Sequence, residues 1–274
     1  MKDIKLCFQL KQFGQLTKLF FIVYSLMGFR LVYATAQYKI NDHSSINWSN
    51  IYMGFNLGEV WTKNLVTWSP LPSAIDAGIS PILGHNSTSN FSEGIFGGYN
   101  HQFLTKYVVG LEGDFLWSNA TGSLYSSWYY YGTTNPAIGT YTNMKSTLNW
   151  SPSIHARLGY IALPNLLTYG AVGPSWAKIS YAASDSNDSI NNNSLYTTST
   201  SYSKIFFGFS VGGGMDWAIT KNLLVRAEYM FYQFSNSQSI VAADSTGNNP
   251  SNFSNYVWSD TSFNLARAGL IYMF

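Results

Sequence analysis

Eight ionisable side chains hold the densest potential chemistry of this chain: Glu112, Asp114, His155, Arg157, Asp216, Arg226, Glu228 and Arg267. Each occupies an alternate position of a segment that switches between apolar and polar residues, and period-two spacing puts such residues on one face of a strand. Four carboxylates facing three arginines and one histidine invite two readings. Packed into a narrow interior, they form an ion-pair network, because buried charge left unpaired is costly and the planar guanidinium fork suits paired carboxylates. Lining a wider interior, they make a pore for small solutes. Enzymatic chemistry has little support. The sequence offers no nucleophile-elbow serine, no His/Cys spacing of a metal site and no phosphate-cradling loop. Val211-Gly-Gly-Gly-Met215 lies within a strand pattern, and Glu112 and Asp114 have arginines to neutralise them. The expectation is a non-enzyme without metal or resident cofactor.

Eight strand-like segments position these groups: 48–58, 91–103, 107–119, 148–161, 166–181, 204–219, 223–234 and 263–274. Each is long enough to cross a bilayer at a tilt. In the sixth, Gly208, Ser210, Gly212, Gly214 and Asp216 oppose Phe207, Phe209, Val211, Met215 and Trp217. In the seventh, Arg226, Glu228 and Tyr232 oppose Val225, Ala227, Tyr229 and Phe231. Charge stays on one face, which is the rule for a barrel with lipid outside. The first, second and fifth segments sort less cleanly, and Pro174 predicts a bulge or break in the fifth. The connections alternate in length. Short turns at 104–106, 162–165 and 220–222 alternate with long Ser/Asn/Thr/Tyr/Gly-rich segments at 59–90, 120–147, 182–203 and 235–262. The expected fold is all-β: an eight-stranded antiparallel up-and-down transmembrane β-barrel with three short periplasmic turns and four long outer loops.

The last segment, Phe263 to Phe274, fits the closing strand of such a ring. Ala266, Ala268, Leu270, Tyr272 and Phe274 share an uncharged face, and Arg267 lies on the other. Pairing of the last strand with the first removes the open edge that hydrocarbon does not tolerate.

Composition agrees. Only 10% of the 274 residues are charged and 17% are aromatic, against about 25% charged in soluble domains. Residues 1–36 read as an export signal. Lys2, Lys5, Lys11 and Lys18 precede an apolar stretch from Leu19 to Phe29, and Ala34-Thr-Ala36 fits a cleavage site. An uncleaved anchor helix is the rival reading, for which the apolar stretch is short. A short periplasmic segment, 37–47, then leads into a barrel domain at 48–274. Residues 1–36 hold five of the 15 basic and one of the 13 acidic residues, so 37–274 carries 10 against 12, a net charge of −2. The basicity therefore says nothing for nucleic acid as a partner. Cys7, the single cysteine, lies in the signal, so 37–274 has no disulfide.

Val109-Gly-Leu-Glu-Gly-Asp-Phe115, Ile154-His-Ala-Arg-Leu-Gly-Tyr160, Leu224-Val-Arg-Ala-Glu-Tyr229 and Ala266-Arg-Ala-Gly-Leu-Ile-Tyr-Met-Phe274 resemble a family of small Gram-negative outer-membrane barrels. These are the outer-membrane immunogenic proteins, with related hemin-binding and opacity-type surface proteins. The resemblance covers about 48–274. It implies an outer-membrane location, surface-exposed variable loops, and roles described variously as adhesive, porin-like or hemin-binding. It also implies that Tyr272 and Phe274 form a C-terminal signal for the barrel assembly machinery. The expected partners are outer-membrane lipid, that machinery, and a host or environmental ligand met by the loops. Hemin would need an axial His or Tyr. Of the four histidines only His85 falls in an outer segment, and the next segment offers Tyr129 and Tyr130 as a surface for a planar ring. The rival reading of these aromatics is membrane girdle and loop packing.

Overall fold

The computed structural model describes residues 46–69, 82–127, 141–188, 195–235, 238–243 and 253–274. The expected signal at 1–36 lies outside them. Nine strands follow in order: β1 (Ile51–Ser69), β2 (Ile82–Phe103), β3 (Tyr107–Ser127), β4 (Tyr141–Leu163), β5 (Leu166–Asp188), β6 (Leu195–Ala218), β7 (Leu223–Phe234), β8 (Gln238–Ala243) and β9 (Phe253–Met273). Each pairs antiparallel with its sequence neighbour up to β7, and β9 pairs with both β7 and β1. The ring therefore has eight staves. On one edge of β9, β7 covers Thr261–Tyr272 and β8 takes over at Phe253–Trp258.

Short turns join β2 to β3, β4 to β5 and β6 to β7, as the loop alternation implies. In the first, Leu104 and Thr105 adopt φ of 46° and 63°, which a tight reversal at a fixed two-strand register demands. The outer segments depart from expectation. Instead of loops at 59–90, 120–147, 182–203 and 235–262, the ladders continue, from Ile51↔Tyr99 up to Trp68↔Ile82 between β1 and β2 and out to Asp188↔Leu195 between β5 and β6. Lipid gives a strand its alternating apolar signature, but the backbone ladder needs no lipid. Above the membrane the wall turns polar and its pairing persists.

Outward aromatics mark the bilayer. Tyr107 and Trp117 on β3, Trp150 and Tyr160 on β4, and Phe207 and Trp217 on β6 lie ten residues apart. Ten residues rise ~33 Å along a strand, or ~25 Å of bilayer at a ~40° tilt. Between the girdles the outward residues are apolar and exposed, among them Phe55, Ile95, Leu111, Leu158, Val172 and Leu270.

One further expectation is corrected and one is refined. Trp48 does not open the first strand. Residues 46–50 precede β1, and Trp48 packs inside the lower end of the ring with Val108, Leu167, Leu224 and Met273. The Trp48 backbone N–H donates to Gln102 Oε1 at 3.3 Å, while the Gln102 backbone N–H donates to Ser49 Oγ at 2.9 Å. At Pro174 the expected break is present but the alternative, a bulge, is not: the register is unchanged across it. Pairing between β4 and β5 is intermittent from Trp150↔Lys178 to Ala156↔Val172, where Pro152 and Pro174 each lack an N–H, yet it resumes in the same register. The Ser151 hydroxyl bridges the interval by donating to the Trp176 carbonyl at 2.7 Å.

Candidate functional site

The eight sequence-selected ionisable residues all point into the ring and all are buried. Period-two alternation on β3, β4, β6, β7 and β9 brings them to one level, just above the lower apolar layer. Arg157 donates to Glu112 at 2.9 Å and to Asp216 at 2.8 Å. Arg226 grips the same two carboxylates from the far side, donating to Glu112 at 2.7 Å and to Asp216 at 2.8 and 3.1 Å. Arg267 donates to Asp114 at 2.5 Å and, through Nε, to Glu228. Three guanidinium groups against four carboxylates leave one negative charge over. His155 is the remaining group able to carry a positive one. Its Nδ1 lies 3.9 Å from Asp114 Oδ1, and its Nε2 lies 2.7 Å from Ser210 Oγ.

Neutral residues that the charge pattern does not single out complete the cluster. Tyr52 on β1 donates to Glu112 at 2.7 Å and accepts from Arg157. Tyr169 on β5 donates to Glu228 at 2.8 Å, and the Arg157 guanidinium lies 3.7 Å from its ring centre. Arg226 lies 4.2 Å from the ring centre of Phe96 on β2. Ser153 donates to Asp114. The strands without inward charge thus supply two phenols and a π face, while the Ser153 hydroxyl comes from β4. The signal in sequence is the gap itself: an aromatic at the inward phase of each uncharged strand.

Apolar layers seal the cluster on both sides. Below lie Trp48, Phe96, Leu224 and Met273. Above, Tyr232 and Phe263 stack at 4.3 Å between ring centres, with Phe234 against the same ring at 5.8 Å. A polar rung follows, in which Asn64 donates to Ser146 at 2.8 Å and Asn86 donates to the Gly122 carbonyl at 2.7 Å. Val66, Trp68, Tyr181, Tyr256 and Trp258 pack at the level beyond. Eight staves enclose a lumen only wide enough for side chains, and these side chains are buried in it.

His85 stands apart from this cluster. It is exposed on the outer extension of β2, opposite Leu65 of β1. Tyr129 and Tyr130 lie outside the described residues. Among the described residues no group of three or more His, Cys, Asp or Glu is placed to hold a metal. On β9, Tyr272 and Phe274 face outward with ring centres 5.1 Å apart, and the Phe274 N–H donates to the Ile51 carbonyl at 3.1 Å across the closing seam.

Comparison with known proteins agrees with this architecture. The family described as outer membrane protein beta-barrel domain matches residues 26–274. The 31 kDa outer-membrane immunogenic proteins of Brucella melitensis and Brucella suis are each 26% identical over 230 residues, covering 84% of this chain and 85% of theirs. Among solved structures, the Escherichia coli outer membrane protease OmpT shares 13% identity at a TM-score of 0.45, covering 82% of this chain and 97% of its own. Pseudomonas aeruginosa OprG shares 12% at a TM-score of 0.45, with 82% and 96% covered. The chain belongs to the outer membrane protein beta-barrel domain family and resides in the outer membrane.

Proposed function

We propose that this barrel is a non-enzymatic surface protein whose solid interior anchors outward hairpins that meet a host or environmental ligand. The observation that carries the reading is a division of labour within the long strands. About ten residues span the bilayer around a sealed, charge-paired core, and a similar length of wall continues beyond the upper girdle. A rigid stalk holding the hairpin tips clear of the membrane serves contact better than passage. The Brucella relatives are named for their immunogenicity, which fits an exposed surface. The expected outcome is a silent barrel in planar-bilayer recordings and loss of whole-cell attachment when the connecting segments 70–81, 128–140, 189–194 and 244–252 are replaced by tight turns. Steady unitary conductance, or attachment that survives all four replacements, would overturn it. In the same reading, export removes residues 1–36 and leaves Gln37 first, which N-terminal sequencing of the outer-membrane form checks.

A hemin-binding role is the second reading. It rests on His85 and Tyr125, both exposed on the outer wall, Tyr125 at 63%, with Tyr129 and Tyr130 following in sequence. A visible-absorption titration with hemin should then saturate and lose its signal in His85→Ala. A linear, unsaturated response ends this reading.

A further inference from the structure

The outer wall above the upper girdle is electrostatically lopsided. Around β9 and β1 its outward charges are mixed: Glu59, Lys63 and Asp260, with Glu93 of β2 at the girdle itself, opposite Trp117. On β4, β5 and β6 they are Lys145 and Lys178, and no described outward side chain of those three strands is acidic there.

The same three strands form ordered cross-strand rungs. Trp150, Lys178 and Ile205 are in register, as are Thr147, Ser180 and Ser203. Lys145, Ala182 and Ser201 form the next, then Asn143, Ser184 and Ser199. A recess of about 340 Å³ opens where the small Ala182 lies between Lys145 and Ser201, with Asn143, Ser184 and Ser199 along its far side. Asn143 Oδ1 is buried there without a hydrogen-bond partner. Below it, Ser180 donates to Asn149 at 2.7 Å and lies 3.2 Å from Ser203.

Height above the membrane decides what this surface meets. On β5, Lys178 is two residues above the girdle residue Trp176, and Ala182 is six above it. At ~3.3 Å per residue and a ~40° tilt, Lys178 sits ~5 Å above the hydrocarbon boundary and the Lys145 rung ~15 Å above it. An ammonium at ~5 Å reaches a phosphate at the headgroup level. Hydroxyls, an amide and a second ammonium at ~15 Å match sugar hydroxyls and a further anionic group, with the Ala182 methyl against the apolar face of a pyranose ring. The patch runs unbroken upward from Trp150 and Trp176, so its ligand is rooted in the membrane rather than arriving from solution.

We propose that the β4–β5–β6 wall binds the phosphorylated sugar headgroup of a glycolipid in the outer leaflet, with Lys178 on the inner phosphate and Lys145 over the sugar recess. The test uses the purified barrel in nanodiscs, titrated with a phosphorylated outer-leaflet glycolipid and read by native mass spectrometry. Heat-dependent electrophoretic mobility verifies folding of every variant. Lys145→Glu/Lys178→Glu should weaken binding about tenfold or more, Lys145→Arg should retain it, and Lys63→Glu on the opposite sector should leave it unchanged. Dephosphorylated glycolipid should bind as weakly to the wild type as the intact lipid does to the double variant. If the paired variant misfolds, Lys145→Gln alone should still lower affinity measurably. Equal affinity in wild type and lysine variants overturns the proposal, as does equal weakening by Lys63→Glu. Binding of the delipidated oligosaccharide as tight as that of the intact lipid would assign the recess to soluble glycans and likewise overturn it.

Discussion

Arg226 and Arg157 grip the same two carboxylates, and Arg226 does so with three hydrogen bonds and a π contact with Phe96. Removing one partner of a buried pair leaves uncompensated charge, at about 3–5 kcal/mol. Arg226→Met should lower stability by that order in reversible urea unfolding of the micelle-embedded barrel, and a change under ~1 kcal/mol would sink the network reading. A second measurement separates pairing from packing. Glu228→Gln and Arg267→Met, made singly and together, should show a coupling energy of ~1–3 kcal/mol, since the two side chains bond directly. Alternation made the charged members of this cluster legible in sequence, because strand phase dictates face. It did not reveal Tyr52, Tyr169, Ser153 or Phe96, because an inward phenol or hydroxyl looks the same in sequence as an outward one. Only the deficit of one positive charge, and the uncharged phase of β1, β2 and β5, hinted that neutral donors had to enter.

Within the elements, the β6 glycines show how the wall makes room for that cluster. The reason for them is spatial. A Cβ at Gly214 would sit 2.7 Å from Tyr169 Oη and 2.5 Å from the Ala227 carbonyl, and one at Gly212 would sit 2.5 Å from Met230 Sδ. Gly214→Val should therefore push Tyr169 off Glu228 and Arg157, at about 1–3 kcal/mol of overpacking. Gly113→Val is the control, since its nearest atom is 4.0 Å away. Comparable midpoints for the two variants in thermal melts would show that the inward crowding does not matter. Element length is where sequence reading fell short. Phe207 to Trp217 announces itself through lipid-facing apolar residues. Leu195 to Phe206 of the same strand carries Thr and Ser in a repetitive polar run, which composition cannot distinguish from loop. Burial of Met144, Tyr181 and Trp258 inside the outer wall supplies the packing that keeps this extension regular.

At the scale of the whole molecule, stability and assembly depend on different parts. The interior layers hold the folded ring, whereas closure depends on β1 meeting β9 along almost the full length of both strands, from Tyr52↔Met273 to Ser69↔Asn255. Open edges in hydrocarbon cost several kcal/mol for each unsatisfied group, so an unclosed ring is a poor membrane species and the seam must form as the chain inserts. Phe274 contributes little to the finished seam: one N–H to the Ile51 carbonyl and an edge contact with Tyr272, its own ring 61% exposed. Its removal should change equilibrium stability by only ~1 kcal/mol, the net worth of one hydrogen bond. If Tyr272 and Phe274 also present the signal read by the assembly machinery, the two readouts must separate. The truncated chain should refold into micelles with near-wild-type yield and melting point, while its level in the outer membrane of expressing cells falls severalfold. Equal loss in both assays would make Phe274 a structural residue of the seam, and normal levels in both would remove it from assembly altogether.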